Sequence, residues 1–66
     1  MKIQVGDQVN CRLYNTPEGQ FYGELFLATI LAIEPNNERN RPYRVKRQGT
    51  GYVMNLTRKE IMGVAR

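Results

Sequence analysis

The sequence contains no histidine and no tryptophan, and a single cysteine, Cys11, among its 66 residues. Without histidine, proton transfer near neutral pH and imidazole ligation of metals lose their commonest side chain. A lone cysteine can build neither an internal disulfide nor a zinc site, which suits a reducing cytoplasm, and on an apolar strand face it reads as a small core residue. No apolar run approaches the roughly 20 residues that span a bilayer, and the opening MKIQVGDQV lacks the apolar centre of a leader peptide. The six carboxylates, Asp7, Glu18, Glu24, Glu34, Glu38 and Glu60, fall singly in turns and loops, where solvated charge accounts for them, and phosphate-cradling glycine loops are missing. These absences leave a cytoplasmic, non-enzymatic protein with no metal and no cofactor as the expectation.

One further absence is local. Between Glu38 and Glu60 there is no acid, while seven of the ten basic residues lie there: Arg39, Arg41, Arg44, Lys46, Arg47, Arg58 and Lys59. The net charge of +4 therefore divides into +7 in this stretch and −3 elsewhere, where Lys2, Arg12 and Arg66 face all six acids. Charge segregated in this way is expected of a surface that meets an acidic partner, nucleic acid first. A hydrophobic content of 41 % is ordinary for a folded protein. A chain of this length makes one domain, residues 1–66, that buries only about 60 % of its unfolded surface, so self-association would add useful stability.

Taken in order, Val5-Gly6-Asp7 is a turn signal that launches an alternating strand from Gln8 to Tyr14, with Val9, Cys11 and Leu13 on one face. Asn15 to Glu24 gathers Pro17, Gly19 and Gly23 around Phe21 and Tyr22 and reads as a long loop or irregular hairpin. Leu25 to Ile33, LFLATILAI, is apolar at both parities, the pattern of a central strand that bends to serve both sides of a small barrel. Glu34 to Pro42 is a polar connection. Gly49-Thr50 then lies between two strand-like runs and suits a two-residue type II′ turn. Pairing across it sets Tyr43, Val45, Met54 and Leu56 on one face and Arg44, Lys46, Val53 and Asn55 on the other, with Tyr43 and Tyr52 toward the core side. Thr57 to Glu60 is a T-x-x-E capping box with room for one 3₁₀ turn before a last strand at Ile61-Met62-Gly63-Val64. The sum is an all-β fold of five short strands.

That layout resembles SH3-like barrels, and the residues bring it closer to the Tudor branch. Tudor domains carry a strand with a cysteine and an aromatic end, then an A-T-I strand, a glycine hairpin and an N-L-S-D-L closing turn. Cys11 to Tyr14, Ala28-Thr29-Ile30, Gly49 to Gly51 and Asn55-Leu56-Thr57 with Ile61 are similar, so the resemblance covers about residues 7 to 64. It implies a five-stranded barrel with its 3₁₀ turn before the last strand. The aromatic cage by which some Tudor domains hold methylated cations is half present: Tyr14 and Phe26 fall on its positions, whereas Val45 and Gln48 stand where two more aromatics would be. The chain also resembles the plasmid-type dihydrofolate reductase in its Gly6-Asp7-Gln8-Val9 start. Val53-Met54-Asn55-Leu56 stands where that enzyme has V-Q-I-Y, so its activity does not carry over.

Two functions follow as expectations. In the first, Arg44 and Lys46, with Arg39, Arg41, Arg47, Arg58 and Lys59 around them, track the phosphate backbone of DNA or RNA with little sequence preference. In the second, the module is an adaptor that holds an acidic or peptide partner in a groove lined by Tyr14, Phe21, Tyr22 and Tyr52.

Overall fold

The computed structural model describes residues 2–15, 17–35 and 40–65. Five antiparallel strands follow one another: β1 (Gln8–Asn15), β2 (Gln20–Ile33), β3 (Tyr43–Arg47), β4 (Val53–Leu56) and β5 (Ile61–Val64), with one 3₁₀ turn, Arg58–Glu60, directly before β5. They form a single sheet in the order β4-β3-β2-β1-β5, a meander whose last strand returns to the outer edge of β1. β4 and β5 do not pair, so the sheet is not closed, and the molecule is a compact, barrel-like all-β fold. No helix among the described residues is long and apolar enough to cross a membrane.

β2 joins the two halves of the sheet. Gln20 to Thr29 pair with β1, and Ala28 to Ile33 pair with β3. Its 14 residues can serve both because the pairing is interrupted twice. Opposite Arg12 three residues of β2, numbers 23–25, replace one, and Leu31 is left out between Ile30 and Ala32. Extra residues of this kind bend a strand and increase its twist. The Arg12 guanidinium donates through Nε to the Gly23 carbonyl at 3.0 Å, which gives that carbonyl a partner away from the regular ladder.

The core is built from the inner face. Val9, Cys11, Phe26, Ala28, Ile30, Val45, Leu56 and Ile61 are buried, and Leu13, Met54, Tyr43, Ile3 and Val64 pack against them. The expected core positions thus lie inside, fully or in part, and Phe26, which the Tudor resemblance places in a cage, is a core residue. The Cys11 thiol is pushed up to about 11, by burial first and by the charge of Glu60 second. At neutral pH it is a protonated, inert core group.

Three details differ from the sequence-based expectation. Of the two readings of Asn15 to Glu24, the irregular hairpin holds and the long loop does not, since β1 runs to Asn15, β2 starts at Gln20, and Tyr14 pairs with Phe21. Turn-rich composition hid two aromatic strand positions inside it. The β3–β4 register is as expected, Tyr43 with Leu56 through Lys46 with Val53, but the turn is wider than two residues. The Gly51 amide donates to the Arg47 carbonyl at 2.9 Å, and Gly49 and Gly51 both have positive φ, 92° and 73°, which only glycine adopts without strain. The third difference is Glu60. It is not a solvated acid: it is 2 % exposed and organises the closing turn.

Around Glu60 every neighbour donates. The Thr57 amide reaches Oε1 at 2.9 Å, the Thr57 hydroxyl at 3.1 Å and Arg41 Nη1 at 3.0 Å, while the Tyr14 amide reaches Oε2 at 3.0 Å. Buried charge is tolerated when it is paired and hydrogen-bonded in this way. One carboxylate therefore ties the end of β1, the connection before β3 and the 3₁₀ turn together.

Candidate nucleic-acid interface

Alternation along β3 divides its side chains. Val45 goes to the core, and Arg44 and Lys46 stand exposed on the outer face. Register extends that face across the sheet in two rows. In the first, Lys46 lies between Val53 of β4 and Thr29 of β2, with Gln8 of β1 beyond; in the second, Arg44 lies between Asn55 and Ala32. None of these residues is an acid. Among the described residues the one ion pair is Arg41 with Glu60, so neither Arg44 nor Lys46 pairs with a carboxylate of those residues. Two such cations, carried on one strand, present positive charge to solvent.

The other expected phosphate ligands are placed differently. Arg41 donates to Glu60 and, at 3.4 Å, to the Asn55 carbonyl, which holds it as a structural cation at the lower end of the same strands. The Arg47 guanidinium lies 4.6 Å above the Phe26 ring, on the inner side of β3. The Arg58 guanidinium donates to the Ile61 carbonyl at 3.0 Å, and the Lys59 ammonium stands 4.4 Å from the Tyr14 ring. Arg58 and Lys59 remain exposed and retain their charge, because a carbonyl or a ring face orients a cation without neutralising it. Arg39 lies outside the described residues.

The aromatic groove is assembled in part. Tyr14 and Phe21 meet edge to face, with ring centroids 4.9 Å apart, because the β1–β2 register makes them neighbours. Tyr22 is exposed on the same hairpin, and Tyr52 is 65 % exposed on the β3–β4 hairpin. The sequence places Tyr52 toward the core by parity; the hairpin end overhangs the core, so the ring projects into solvent. Tyr14 and Phe26, the two residues similar to a Tudor cage, each already face a cation of this chain.

Outward leucines are the feature that reading the sequence misses. Leu25, Leu27 and Leu31 are exposed, although an apolar run of both parities suggests burial on both faces. A β2 that belongs to one sheet has only one core side. Comparison with family models, curated proteins and solved structures finds no match for the chain.

Proposed function

We propose that this protein is a small, non-enzymatic, cytoplasmic module of the SH3-like, Tudor-like kind that binds nucleic acid through the outer face of β3. The observation that carries this reading is the pair Arg44 and Lys46, both exposed and without a carboxylate partner among the described residues. Arg58 and Lys59 in the closing turn add two exposed charges. Strands and a capped turn fix where these side chains leave the backbone, so phosphate contact has to order the side chains and not the chain that carries them. Affinity then comes from displaced counterions and carries little sequence preference.

The test is fluorescence anisotropy with labelled duplex at several salt concentrations. Four neutralised phosphates give a plot of log affinity against log salt with a slope of about −3.6. The double variant Arg44→Ala, Lys46→Ala flattens it by about 1.8. Its melting temperature stays close to that of the parent chain, because exposed charges contribute little to folding. Failure of duplex, single-stranded DNA and RNA alike to bind more tightly than about 100 µM at low salt, weaker than ordinary non-specific association, would remove direct nucleic-acid binding and leave the adaptor reading.

A further inference from the structure

Leu27, Leu31 and Val53, 37 %, 41 % and 42 % exposed, flank the two cations. Val53 is directly opposite Lys46, whose other neighbour is Thr29 of β2, and Leu27 and Leu31 each lie two residues from Thr29 along the strand. At the end of the same hairpin stands Tyr52. Its amide donates to the Thr50 hydroxyl at 3.3 Å and its carbonyl accepts from the Arg47 amide at 2.8 Å, so the exposed ring is carried on a fixed backbone. Cations and aliphatic side chains thus share the outer face of β3, while the Tyr52 ring, opposite Arg47 and of the inner parity, stands exposed at the hairpin end next to that face.

A duplex is a poor fit to that combination. Its outer surface offers phosphate and sugar, with the base faces stacked away inside, so the aliphatic side chains would be covered by charged backbone. An unpaired strand offers both chemistries at once: phosphates for Arg44 and Lys46, and base faces that can lie on Leu27, Leu31 and Val53 or stack on Tyr52. A second copy of the chain is the other apolar occupant. It would bring Arg44 and Lys46 of one molecule against those of the next, with no acid in the two rows around them to offset the repulsion.

Resting on the reading of β3 as a nucleic-acid face, we propose that its ligand is single-stranded, held by base faces on the aliphatic row and Tyr52 as well as by phosphates. The experiment compares three labelled ligands of equal length at one moderate salt concentration: oligothymidine, an abasic strand with the same phosphates, and a duplex. Oligothymidine should bind about tenfold tighter than either of the others. Leu27→Ser with Tyr52→Ser should remove most of that advantage and leave the abasic affinity unchanged; circular dichroism and the melting curve of the variant confirm that it folds, and Tyr52→Ser alone serves if the pair does not. Equal affinities for all three ligands would overturn the single-strand inference while phosphate binding stands. An advantage that survives both variants would also overturn it, by placing the bases elsewhere. Failure of all three ligands to bind would remove the nucleic-acid reading itself. In that event, saturable salt-sensitive binding of an acidic amphipathic peptide would assign the face to a protein partner.

Discussion

Glu60 carries the largest single-residue consequence. Removing it leaves the amides of Tyr14 and Thr57 without their acceptor, and a buried donor with no partner costs about 1–3 kcal/mol. Removing Arg41 instead leaves the carboxylate with two amides and a hydroxyl, and the Arg41 side chain is itself 38 % exposed, so its pairing is partly screened by solvent. Urea melts should therefore place Glu60→Ala at least about 2 kcal/mol below the parent chain, with Arg41→Ala clearly milder. Equal losses would show that the charge pair, and not the set of amide donors, holds the turn. The capping box at Thr57 and Glu60 was readable in the sequence, because spacing alone defines it. The burial of Glu60 was not, since Tyr14 is 46 positions away and no local pattern announces a donor from so far along the chain.

At the scale of elements, alternation did most of the work. β1, β3, β4 and β5 follow from period-two patterning and from turn residues, and the β3–β4 register follows from which residues must be inside. β4 offers a direct check, because Leu56 is buried and Val53 exposed on one four-residue strand. Leu56→Ala should cost about 2–5 kcal/mol. Val53→Ala should stay within about 0.5 kcal/mol of the parent chain, both read from denaturant midpoints. Comparable losses would mean the register is shifted by one residue. β2 shows where alternation stops being informative. Its interruptions at residues 23–25 and at Leu31 break the period, and a run of apolar residues at both parities does not say which face lacks a covering layer. The β1–β2 hairpin was obscured for a related reason: Pro17, Gly19 and Gly23 signal turns, yet Phe21 and Tyr22 between them pair with Tyr14 and Leu13.

For the molecule as a whole, the division of labour is between an inner face that folds and an outer face that is left with charge and exposed aliphatic groups. The segregation of charge was visible in the sequence as an acid-free stretch. Which cations are spent on the fold was not: Arg41 closes on Glu60, whereas Arg44 and Lys46 point away from the core. The most direct measurement is an amide chemical-shift titration of the 66-residue chain with a short oligonucleotide at low salt, since it places the ligand on the sheet residue by residue. Progressive, saturating shifts are expected at Arg44, Lys46, Val53, Asn55 and Thr29, and should weaken as salt is added. Shifts confined to the Tyr14–Phe21 hairpin, or no shifts at all, would contradict the assignment of the β3 outer face as the binding surface.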